Sequence, residues 1–222
     1  MKTFPSILGW LVTILIPFFL MITSIRVLTN TWYPEFEYRT PNFPVDTYGF
    51  KLEDRLQWSK KSIEYLLNGA DISFLGDLKF QDGNPLFQKN ELSHMVDVKN
   101  VIQGAFGAWW ILFAVIVGAG VWTRRINWFS IYLQALGRGG WLTIALIGAI
   151  LAGVAVSFRW LFTEFHRIFF TGESWLFSYS DTLIRLFPMQ FWQDAFILMG
   201  IFTLSGAGLL IIVNKKLKRK YN

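Results

Sequence analysis

"VIQGAFGAWWILFAVIVGAGVWT", residues 101–123, contains no charged side chain. A helix needs about 20 largely apolar residues to cross roughly 30 Å of hydrocarbon, and this stretch is long enough. Three others pass the same test: Ile7 to Leu28, Gly139 to Phe162 and Ala195 to Asn214. The chain is 53% hydrophobic and 18% aromatic, and its apolar residues are gathered into these blocks, not spread at helical or strand periods. The expected fold is an all-α membrane protein, a bundle of four transmembrane helices near 7–28, 101–123, 139–162 and 195–214. Residues 1–222 then form a single membrane domain, with an outer cap at 29–100 and an outer aromatic loop at 163–194.

The first span could be taken for a cleavable signal, but its uncharged core of 19 residues exceeds an h-region of about 7–15, and no small-x-small site follows. It reads as a retained anchor. Cysteine is absent, which excludes disulfides and thiolate chemistry.

The net charge of +6 is distributed as a topology signal, which argues against a nucleic-acid partner. Lys2, Arg124, Arg125, Arg138, Lys215, Lys216, Lys218, Arg219 and Lys220 flank the spans on one side, and no acid joins them. All 15 acidic residues lie in the other loops, 11 within 29–100 and four within 163–194. The positive-inside rule puts both termini and the 124–138 loop in the cytoplasm and the two large loops outside.

Within the cap, Leu52, Leu56, Ile63, Leu66 and Leu67 fit one face of a helix that Asn68-Gly69 would end. Turn chemistry at Asp82-Gly83 suggests a small β-hairpin in a mostly helical cap. Ala145, Ala149, Gly153 and Ser157 recur every four residues, a small-residue stripe suited to close helix contact.

Directly before the second span stands "ELSHMVDVKN", residues 91–100, with one of the chain's two histidines. Asn90 can cap a helix that starts at Glu91 and runs on into the span. At 1.5 Å per residue, His94 then lies roughly 10 Å beyond Val101, at headgroup depth. The other histidine, His166, ends the third span, and the midpoint of 94 and 166 is residue 130, inside the short loop between the two spans. An antiparallel hairpin therefore brings both histidines to one height on the outer side. Imidazoles titrate near 6.5, so the pair can serve as general acid and general base.

Glu91 and Asp97 flank His94 at three-residue spacing and can orient its ring, although an acid at position 91 equally suits a helix N-terminus. Arg159 shares a helix face with His166, and Arg26 closes the first span; each can reach lipid phosphates or support an oxyanion. Met95, Phe165, Phe169, Trp175 and Trp192 are candidate contacts for lipid substrate. No HExxH or similar ligand spacing is present, so neither a metal nor a cofactor is expected. Transport is disfavoured because no ionisable residue sits in the middle of a span. Two readings from other classes stay open on the residues alone: a non-enzymatic membrane assembly protein with an extracytoplasmic cap, and a metal-dependent hydrolase.

"ELSHMVDVK", "FHRIFFTGESWLF" and "LIRLFPMQFW", in this order around the spans, resemble the bacterial lipoprotein intramolecular transacylase family. The resemblance covers almost the whole chain. It implies an acyltransferase that moves the sn-2 acyl chain of an S-diacylglyceryl-cysteine to the α-amino group of the same cysteine, giving a lyso-lipoprotein. Partners would be the diacylglyceryl lipoprotein and membrane lipids, and His94 and His166 would be the catalytic pair. Which histidine is the base, whether an acyl-imidazole forms, and the oligomeric state stay open.

Overall fold

The computed structural model describes residues 3–172 and 175–221. Lys2 of the charge pattern and Glu173 and Ser174 of the third-span motif lie outside the described residues, as do the side chains of Lys218, Arg219 and Lys220. The element order is α1 (Thr3–Leu28), α2 (Trp32–Glu37), α3 (Leu52–Leu67), α4 (Ser73–Gly76), α5 (Lys89–Arg125), α6 (Phe129–Phe169), α7 (Thr182–Leu186) and α8 (Met189–Tyr221). Four of these, α1, α5, α6 and α8, are long and apolar enough to cross a membrane. Among the described residues there is no strand. Where a hairpin was expected, Lys79 and Pro85 make one isolated antiparallel bridge around Gly83, which turns at φ +86°. Pro85 has no N–H to extend the ladder.

The chain divides into two compact units, one of residues up to Val27, Phe106–Ala155 and from Phe196 onward, the other of Leu28–Ala105 and Val156–Ala195. The first unit holds the apolar lengths of the four long helices. Val12, Ile16, Ile116, Ala119, Ala135 and Leu136 form its core. Helix α6 starts at Phe129, well before the apolar run at Gly139, because Leu133, Ala135 and Leu136 bury one face of a stretch that average hydropathy passes over. The small-residue stripe does not make the close contact: Ala145 and Ala149 are exposed. Close approach falls instead at Gly140, where a Cβ would stand 2.8 Å from the Ala207 carbonyl oxygen. Hydroxyls tie the helices further, with Ser24 Oγ 2.8 Å from Thr203 Oγ1 and Trp109 Nε1 donating to Thr23 Oγ1 at 2.8 Å.

The second unit is built on Tyr65, Leu75, Leu86, Phe87, Met95, Leu183 and Leu186. Helix α3 occupies the stretch where the leucine spacing puts a helix, but it buries Arg55, Ser59, Ser62, Ile63 and Tyr65 and leaves Leu52 and Leu67 exposed. The rotation is supported by partners for most of the inward polar groups, although the Arg55 Nε stays buried and unbonded. Arg55 donates to the Pro44 carbonyl at 2.7 Å and lies 5.1 Å over the Phe43 ring, while Ser62 bonds the Trp58 carbonyl. Lys99, also buried, closes the end of α3 by donating to Asn68 Oδ1 and the Ala70 carbonyl, 4.0 Å over the Tyr65 ring. Short α7 is strapped into the unit by Tyr38, whose hydroxyl donates to the Leu186 carbonyl, and by the Arg185–Asp46 ion pair at 3.0 Å.

Candidate active site

Helix α5 begins at Lys89, and its N-terminus is closed by Glu91, which accepts the Gln88 N–H at 2.6 Å. An acid three residues past the cap that bonds back to the cap N–H satisfies a donor the helix cannot. The other Glu91 oxygen accepts the Leu183 N–H at 2.6 Å, so one fully buried carboxylate fixes both the start of α5 and the second residue of α7. One turn further, His94 enters the unit's interior with 7% exposure. Its Nδ1 is buried without a hydrogen-bond partner. Neither Glu91 nor half-buried Asp97 is bonded to it.

His166 comes from the last turn of α6 and is equally buried, at 8% exposure. Its Nδ1 lies 2.8 Å from the Phe162 carbonyl oxygen. A carbonyl only accepts, so Nδ1 carries the proton and Nε2 is left with a free lone pair in the neutral ring. The two imidazoles stand 5.9 Å apart, centroid to centroid, with their planes at 22°. They are the chain's only histidines, drawn from residues far apart in sequence.

The walls are aromatic. Phe170 and Phe177 meet His94 edge-on at 4.8 and 5.4 Å, and Phe162, Trp175 and Phe170 lie 4.1, 5.1 and 5.4 Å from His166. Phe162 and Phe170 flank His166 by four residues on either side, the helical spacing that could have marked them. Phe165, exposed like Phe169, reaches His166 edge-on at 5.7 Å and meets the Phe169 ring tilted at 4.7 Å; Trp192 contacts the enclosure through Phe162 at 6.2 Å. Met95 instead fills the hydrophobic core. Arg159 is exposed, and Arg26, in the first unit, lies over Phe106 and Trp109 at 4.3 and 4.8 Å. Among the described residues no three His, Cys, Asp or Glu side chains are grouped to hold a metal ion.

Elsewhere in this unit, Glu37 is 2% exposed with Oε1 unbonded. Burial, followed by the neighbouring Asp194 carboxyl, pushes its pKa up to about 7. Nothing in the sequence around position 37 marks it.

The chain is 27% identical over 220 residues to an uncharacterized protein of Aquifex aeolicus, covering 97% of this chain and 96% of that protein. Its fold matches the in meso structure of the membrane integral lipoprotein intramolecular transacylase Lit from Bacillus cereus, with a TM-score of 0.79, 21% identity, and coverage of 99% of this chain and 98% of that one. A variant of that enzyme with one histidine replaced by alanine matches with a TM-score of 0.75 at 22% identity, over 99% of this chain and 96% of that one. The model of the lipoprotein intramolecular transacylase Lit family, a family of membrane acyltransferases, matches residues 10–192. The chain belongs to that family.

Proposed function

We propose that this protein moves the sn-2 acyl chain of an S-diacylglyceryl-cysteine to the α-amino group of the same cysteine, yielding the lyso-form lipoprotein. The observation that carries this reading is the burial of the only two histidines side by side, 5.9 Å apart, in an aromatic enclosure. An α-amino group with a pKa near 8 must lose a proton to attack an ester, and the departing glycerol oxygen must gain one. His166, with Nδ1 committed to the Phe162 carbonyl, has Nε2 free to take the proton from nitrogen. The proton then crosses between the rings to His94, which delivers it to the glycerol oxygen, so that both imidazoles begin and end the cycle neutral. Because donor and acceptor belong to one molecule, holding them in attack geometry supplies much of the acceleration and no second acyl donor is needed. The Phe and Trp side chains around the rings suit acyl chains and limit water.

The charge pattern supports an N-in/C-in arrangement in the bacterial cytoplasmic membrane, with the chemistry at the outer membrane–water interface. The test is mass spectrometry of lipoprotein N-terminal peptides from cells making the wild type, His94→Ala or His166→Ala. The lyso form is expected with the wild type alone; an unchanged yield from both variants would overturn the assigned pair.

A further inference from the structure

We infer that Trp175 is a catalytic residue whose indole N–H stabilises the oxyanion formed during acyl transfer. The inference rests on the acyl-shift reading above. Helix α6 ends at Phe169, the Phe170 N–H bonds the His166 carbonyl at 2.8 Å, and Gly172 takes a positive φ of 70° that the chain uses to turn back. Trp175 then lies with its ring centre 5.1 Å from that of His166, the planes tilted by 41°. Its Nε1 is buried and has no hydrogen-bond partner.

An indole nitrogen can only donate. Trp and Tyr usually find an acceptor when buried, and an orphaned donor costs free energy that a native fold rarely leaves uncompensated. Here the orphan is next to His166, whose Nε2 is taken up with the proton of the amine, and the Phe162 and Phe170 rings that also line His166 offer no acceptor. The acceptor it lacks is the oxygen the reaction creates. When the amine nitrogen attacks the ester carbonyl carbon, the C–N bond forms and the carbonyl π pair moves to oxygen. On collapse that pair re-forms the carbonyl, the C–O bond to glycerol breaks with its pair on the glycerol oxygen, and the proton lost from nitrogen replaces it there. A donor fixed in a water-poor site before the charge develops stabilises that intermediate more than the neutral ester.

The test compares the full-length wild type with Trp175→Phe and with a variant carrying β-(3-benzothienyl)alanine at position 175, which keeps the indole shape and replaces N–H by sulfur. The substrate is a synthetic diacylated lipopeptide. Both variants are expected to lose roughly 100-fold in kcat with KM changed less than about threefold. The benzothienyl side chain conserves packing, so its result stands even if the Phe variant folds poorly. A benzothienyl variant with wild-type kcat, or one altered in KM alone, would overturn the assignment and leave Trp175 as a lipid contact. Failure of the wild type to form the N-acyl product would instead count against the acyl-shift reading.

Discussion

His94 and His166 lie 5.9 Å apart with near-parallel rings, and each is more than nine-tenths buried. The proposed mechanism gives the two rings one proton path, and groups that act as a unit show losses that do not multiply. His94→Gln and His166→Gln are each expected to lower kcat by about 10²–10⁴-fold. The double variant should fall no more than about tenfold below the worse single one. Kinetics with a labelled diacylated lipopeptide measure this, and fully multiplicative losses would mean that the two rings work independently.

Glu91 acts through structure, because its two oxygens hold the Gln88 and Leu183 N–H groups. In Glu91→Gln an amide NH₂ faces one of those donors, leaving it unpaired at a cost of about 1–3 kcal/mol. Hydrogen exchange at the Leu183 or Gln88 amide should quicken, and the unfolding midpoint should fall by about 2–12 °C. Exchange at wild-type rates at both amides would show that the carboxylate holds neither element.

The Arg185–Asp46 pair has side-chain exposures of 10% and 3%. Desolvation alone would raise the Asp46 carboxyl, but hydrogen bonds from Arg185 and the Phe50 N–H outweigh it and hold its pKa below the usual range. A depressed carboxyl stabilises the fold above its unfolded pKa, and that contribution is lost as pH falls through the folded value. Asp46→Asn should cost about 3 kcal/mol at neutral pH and flatten the acid limb of stability below about pH 4. Thermal unfolding in detergent across that range gives the comparison; parallel curves would contradict the assignment.

Glu37 has the opposite sign. With its pKa pushed up to about 7, it holds a proton in the fold that the unfolded chain releases near 4.5. Its contribution is present below that lower value and is lost as pH rises through about 7. Glu37→Gln should remove this slope and raise the unfolding midpoint at pH 8 by about 5 °C. A midpoint that keeps the wild-type pH dependence would contradict the buried-acid account.

The four spans are legible in the sequence because an apolar run of bilayer length has few other uses, and the midpoint arithmetic on residues 94 and 166 is legible because a hairpin conserves height. Features set by distant partners are not. Arg55 faces inward on α3 because the Pro44 carbonyl and the Phe43 ring receive it, which the leucine spacing cannot reveal. Glu91 looks like an orienter for His94, yet one of its partners is Leu183, 92 residues away. The stripe from Ala145 to Ser157 satisfies the small-residue rule yet leaves Ala145, Ala149 and Ser157 exposed, whereas Gly140 meets α8 without any repeat to announce it.

The central claim, an acyl shift confined to one molecule, is tested most directly by crossover. Purified protein is given an equimolar mixture of two synthetic diacylated lipopeptides, one isotopically heavy in both peptide and sn-2 acyl chain and the other light in both. The N-acylated products are then weighed by mass spectrometry. The account predicts only heavy-on-heavy and light-on-light N-acyl peptides, whereas heavy acyl chains on light peptides would contradict it.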